Sequence, residues 1–332
     1  MVLEITLEIT IVVEKNMGVF SINKRIIVGL IAGIIILSLA VAAVSGQAGK
    51  EKASRGEAIG VIYVEGVITG ARGEGSIFGT GVASGPSLME QLREAGDDDG
   101  VKAVLLRINS PGGSAAASQE VGNEIDRLRK QGKTVVASMG DVAASGGYWI
   151  AAKADKIIAD PATMTGSIGV IMETQNMQEL FDKIGITPET IKSGPHKDMG
   201  SPNRPLTPEE RAIMQQMVDD IYQQFVDVVA EGRKMKREKV LELADGRIFT
   251  GRQAKEQGLV DELGNYYDAV KLTGELAGIE GEPVIREFGY TSPFEKFLSG
   301  VNIPVTPGSG FLGLSPREVE AFRELLKIQP LF

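Results

Sequence analysis

Two kinds of apolar spacing alternate along this chain. Val101 to Ile108 (V-K-A-V-L-L-R-I) is a near-continuous apolar run with the length of a buried strand, whereas Ser114 to Lys130 places Val121, Ile125 and Leu128 on one helical face. The same contrast recurs. Strands are expected over 58–67, 134–139, 156–159 and 168–173, and helices over 86–95 and, briefly, 148–154. A long helix is expected over 207–231, because Thr207 precedes Pro208, Glu209 and Glu210, a helix-opening series. Shorter helices follow at 236–243, 252–256, 267–276 and 317–327. Strand–helix–strand alternation with short turns implies an α/β body built on a largely parallel sheet.

The N-terminal region breaks this pattern. The 24 residues between Arg25 and Lys50 carry no charge, and Ile26 to Val44 is apolar apart from Gly29, Gly33 and Ser38. Nineteen helical residues at about 1.5 Å each reach roughly 28 Å, near the thickness of a bilayer's hydrocarbon core. The run exceeds an ordinary signal-peptide core, so an uncleaved anchor is expected over 26–45. Lys24 and Arg25 abut its start, which places residues 1–25 in the cytoplasm and the body outside the cell membrane. Residues 46–56 read as a linker, 57–285 as the catalytic body and 286–332 as a C-terminal extension whose 291–314 stretch is rich in Pro and Gly. Residues 1–16 alternate apolar and polar positions without a local partner, and Met17 is a second candidate start.

Composition narrows the chemistry. The 332 residues contain no Cys and one His, His196, which removes disulfides, thiolate metal sites, cysteine nucleophiles and two-histidine metal sites. Excess acidic residues give a net charge of −9, against general nucleic-acid binding. The glycines of 70–85 are not followed by G-K-[ST], so that segment reads as a mobile surface loop, a possible lid, rather than a phosphate cradle.

Two Gly-rich turns each lead from a strand into a helix: Asn109-Ser110-Pro111-Gly112-Gly113 and Ala143-Ala144-Ser145-Gly146-Gly147. Unsatisfied amides at a helix start hold anions, including a transient oxyanion. Ser145 in such a turn suits attack on a carbonyl, with Ser110 and Ser114 as competitors. A serine hydroxyl needs a base. Lys153 and Lys156 follow Ser145 too closely to turn back onto it, which leaves His196, Lys192 and Lys197 open.

The motifs R-I-N-S-P-G-G-S (107–114), D-V-A-A-S-G-G-Y-W-I-A (141–151), T-G-S-I-G-V (165–170), K-S-G-P-H-K-D-M-G-S-P (192–202) and G-R-I-F-T-G-R-Q-A-K-E-Q-G-L-V-D-E-L-G (246–264) together resemble the short signal peptide peptidases of the SppA type. The resemblance spans about residues 57 to 280. It implies a Clp protease/crotonase-like fold with a helical C-terminal region, preceded by one transmembrane helix. It implies Ser145 as nucleophile, Lys197 as general base, Ser167 as the residue orienting that lysine, and Gly112 with Gly146 as oxyanion donors. It further implies an ATP-independent peptidase without cofactor or metal, acting on apolar peptides such as cleaved signal peptides, and a ring-shaped homo-oligomer. His196 becomes a neighbour of the base. Alternatives are a membrane-protein-specific Ser–Lys protease, a crotonase-type acyl-CoA enzyme, and a non-catalytic scaffold.

Overall fold

The computed structural model describes residues 57–72 and 81–289. The expected anchor, its flanking segments, the middle of the Gly-rich loop and the tail beyond Gly289 lie outside the described residues. The alternating pattern folds as expected into an α/β body. In chain order its strands are β1 (Ala58–Glu65), β2 (Val67–Thr69), β3 (Val82–Ser84), β4 (Val101–Ser110), β5 (Thr134–Ala144), β6 (Lys156–Ala159), β7 (Met164–Gly166), β8 (Ile248–Thr250), β9 (Glu262–Leu263) and β10 (Val284–Phe288). Its helices are α1 (Gly85–Asp97), α2 (Ala115–Lys130), α3 (Gly146–Ala152), α4 (Gln178–Ile184), α5 (Pro208–Gly232), α6 (Arg237–Leu243), α7 (Gly251–Glu256) and α8 (Tyr266–Leu276).

The main sheet runs β10-β1-β4-β5-β6-β9, parallel throughout, and β7 adds in parallel to the end of β5. Among the described strands, only β8, on β7, is antiparallel. Period-two alternation divides the strands between two apolar layers. Val104, Leu106 and Ile108 of β4 pack with α1, α2, α3 and α5, while Leu105 turns to the other face with Ile59, Val61, Val136 and Ala269 of α8. Helix starts are fixed locally. Ser84 and Ser114 cap α1 and α2, and α5 opens with a full capping box in which Thr207 and Glu210 exchange hydrogen bonds.

One expected element is corrected. The strand placed at 168–173 lies instead at Met164–Gly166, and residues 168–177 have no regular structure. Gly166 and Ser167 both take positive φ, 82° and 49°, so the chain leaves the sheet before the apolar Ile168–Met172 run can extend it. Ile168 is then buried while Ile171 is 84% exposed. The short helix expected at 148–154 begins earlier, directly after Ser145.

Candidate active site

The turn from β5 into α3 holds one of the three non-glycine residues with positive φ among the described residues. Ser145 stands between strand and helix with φ 52° and ψ −122°, a region that costs a non-glycine residue about 1–3 kcal/mol. The conformation is held from both sides: the Ser145 amide donates to the Gly166 carbonyl of β7 at 2.9 Å, and the Trp149 amide donates to the Ser145 carbonyl at 2.9 Å. Its hydroxyl does not cap the helix and has no hydrogen-bond partner among the described residues. The competing serines are engaged. Ser110 is fully buried and donates to the Gly66 carbonyl at 2.6 Å, and the Ser114 hydroxyl accepts the Ala117 amide at 3.3 Å to cap α2.

The Gly112-Gly113 turn packs directly on Ser145. A Cβ on Gly112 would stand 2.7 Å from both the Ser145 Cβ and the Gly146 amide nitrogen, so only glycine lets the two turns touch. The structure separates the two glycines in a way the sequence did not. The Gly112 amide, expected as an oxyanion donor, donates to the Ser110 hydroxyl at 3.1 Å. The Gly113 amide has no acceptor among the described residues. Its nitrogen lies 3.3 Å from where a Gly146 Cβ would be, and Gly113 rather than Gly112 lines the cleft beside Ser145. Gly146 opens α3, where an amide has no intrahelical acceptor. Among the described residues, the Gly113 and Gly146 amides are thus left without an acceptor in the cleft that Ser145 lines.

These residues border a cleft of about 760 Å³. Ser167 lines it, with its amide donating to the Arg247 carbonyl at 2.8 Å. Trp149 and Phe225, whose rings lie 4.8 Å apart, join Val170, Ile171, Met172, Val218 and Tyr222 in its largely apolar wall. The contribution of α5 to this wall was not read from sequence. Its signal is the one-face spacing of Val218, Tyr222 and Phe225, which equally fits an ordinary core helix.

The candidate bases lie elsewhere. Lys153 is paired with Asp126 at 2.8 Å and Lys156 with Asp261 at 3.4 Å, so neither is free to serve. Lys192 is bound to Asp198 at 2.7 Å. His196 is half-exposed with Nε2 3.6 Å from Glu209. Lys197 is exposed on the irregular segment between α4 and α5, its amine unpartnered among the described residues, and it does not line the Ser145 cleft. The structure thus brings together Ser145, Ser167, Gly112, Gly113 and Gly146, and leaves Lys197 outside that group.

The segment carrying Lys197 is anchored on α5 through charge. Arg204 hydrogen bonds, followed by the Thr207 amide, hold the Glu210 carboxyl down at about 2 from the usual 4.5. A carboxyl depressed in this way adds stability that is fully present above its unfolded pKa and is lost as the pH falls through its folded one. In urea titrations, the stability advantage of the native chain over Glu210→Gln is expected to be constant above about pH 5 and to shrink as the pH falls towards about 2. An advantage that stays the same down to pH 2 would contradict this account of Glu210.

Known proteins are similar to this chain. Residues 127–280 match the model of peptidase family S49. A candidate protease of Synechocystis is 50% identical over 214 residues, covering 64% of this chain and 77% of that protein. A candidate signal peptide peptidase SppA of Enterococcus faecium is 39% identical over 309 residues, covering 85% and 89% respectively. Protease 4 of Salmonella typhi is 40% identical over 232 residues, 70% of this chain but 36% of the longer relative.

Proposed function

Since the chain belongs to peptidase family S49, the serine peptidases of the SppA type, we propose that it is a membrane-anchored, ATP-independent endopeptidase with Ser145 as nucleophile and Lys197 as general base. The observation that carries the proposal is the Ser145 hydroxyl, without a hydrogen-bond partner among the described residues, held in a strained turn beside two amides that have no acceptor among those residues, at the edge of an apolar cleft. Lys197 removes the hydroxyl proton as the oxygen attacks a peptide carbonyl. The Gly113 and Gly146 amides receive the oxyanion, each such donor being worth roughly 2.7–4 kcal/mol. The ammonium then returns the proton to the leaving amine, and water clears the acyl-enzyme with Lys197 again as base. Ser167, at the cleft edge, orients the amine. The body takes the Clp protease/crotonase-like arrangement, outside the cell membrane and tethered by residues 26–45.

A lysine amine serves as a base only once it is desolvated. Lys197 is exposed in the single chain, so another surface must cover it. The segment from Ile171 to Ile191 displays large apolar side chains to solvent, Ile171 at 84% and Ile191 at 95% exposure, with Ile184 and Ile186 between them. Such a patch marks an association surface. These features support a homo-oligomer in which Lys197 of one copy meets the Ser145 cleft of the next, closing as a ring. The apolar cleft favours apolar peptides, of which cleaved signal peptides are the fitting class.

The test uses the full chain extracted in detergent, without ATP, and a synthetic signal peptide. Cleavage within the apolar stretch is expected, and none from Lys197→Ala under the same conditions. Turnover retained by purified Lys197→Ala would remove the lysine from the mechanism, and a strict requirement for ATP would overturn the proposed activity.

A further inference from the structure

Arg204 sits between two carboxylates and closes the segment that carries Lys197. Its Nε and Nη2 donate to Asp198 at 3.0 and 2.7 Å, and its Nη1 and Nη2 donate to Glu210 at 2.8 and 2.6 Å. Nη1 also donates to the Pro205 carbonyl at 3.0 Å. On the other side, the Lys192 amine donates to Asp198 at 2.7 Å and to the Pro195 carbonyl at 3.0 Å. The Glu210 side chain is 2% exposed and that of Asp198 12%, so this is a largely desolvated network rather than a surface pair. The same hydrogen bonds, from Arg204 first and then Lys192, push the Asp198 carboxyl far below the usual carboxylate range.

We propose that Arg204, with Asp198, is a positioning residue for the general base: it fixes the backbone beside Lys197 to the start of α5 in its own copy, and so sets where the amine stands for the cleft of the neighbouring copy. The inference rests on the reading of Lys197 as base. Asp198 is the next residue in the chain, so holding its carboxylate holds the Lys197 main chain. Glu210 belongs to the capping box of α5, a 25-residue helix, so the tie seats the Lys197 segment on a long, regular element of its own copy. Because the Lys197 amine has no partner of its own among the described residues, its placement comes from this backbone tie. Only a planar guanidinium offers parallel bonds to two carboxylates at once; an ammonium is a point charge and cannot replace it.

The effect of a displaced base is large, since an error of about 1 Å in a reacting group can cost on the order of 100-fold in rate. The experiment compares Arg204→Lys and the isosteric Asp198→Asn with the native full chain in detergent. It measures kcat and KM on an apolar peptide and the rate at which a fluorophosphonate labels Ser145. Both variants are expected to lose about 10- to 100-fold in kcat, with KM held within about twofold and labelling slowed in parallel. Native kcat and labelling in both variants would overturn the proposal. So would a collapse of KM together with assembly, which would make the network a scaffold alone. Lys197→Ala separates this from failure of the base assignment. If Lys197→Ala is inactive while Arg204→Lys is fully active, the clamp is wrong and the base stands; if Lys197→Ala is active, the base assignment itself has failed.

Discussion

Replacing Ser145 by alanine is expected to lower peptide turnover by about 10⁶-fold, the scale seen when an activated serine nucleophile is removed. The residual rate would reflect binding and the oxyanion amides alone. The fold should survive, because what holds the turn is main-chain bonding, Ser145 to Gly166 and Trp149 to Ser145, which alanine keeps. Alanine also keeps the strain of φ 52°. Glycine does not, so Ser145→Gly should be equally inactive yet more stable than Ser145→Ala by up to about 1 kcal/mol in urea unfolding. That combination would identify strain stored at the nucleophile. Turnover within tenfold of native in either variant would exclude Ser145 as the attacking group.

The body's architecture was largely legible because its strands are unusually plain. The Val101–Ile108 run can be little other than a strand buried on both faces, and its Asn-Ser-Pro-Gly-Gly stop locates the turn beside Ser145. What escaped reading was short or exposed. Helix α4, Gln178–Ile184, buries none of its residues, so it carries no inward stripe to detect. Strands β2 and β3 have three residues each, and β10 is an edge strand with Val284 and Ile285 about 40% and 39% exposed. The run from Ile168 looked like a strand because apolar spacing does not register the two positive-φ residues just before it. At the site, motif spacing identified the turn but could not say which glycine amide is spent internally. That depends on the Ser110 hydroxyl, whose rotation onto Gly112 is a three-dimensional fact. Lys197 shows the same limit: its spacing from Ser145 is a property of one chain, and the proposed pairing belongs to two.

The second large effect follows from that pairing. If Ser145 of one copy works with Lys197 of another, Ser145→Ala and Lys197→Ala chains are each inactive alone, but each holds what the other lacks. Random co-assembly of equal amounts leaves roughly one site in four with both groups intact. Activity should therefore rise from background to about a quarter of native, a gain of several orders of magnitude over either parent. The decisive measurement is peptide cleavage by the two variants co-expressed with different tags and purified through both. The account predicts that activity returns in the doubly purified complex and not when the separately assembled proteins are merely mixed. A doubly tagged complex that remains as inactive as its parents would contradict it.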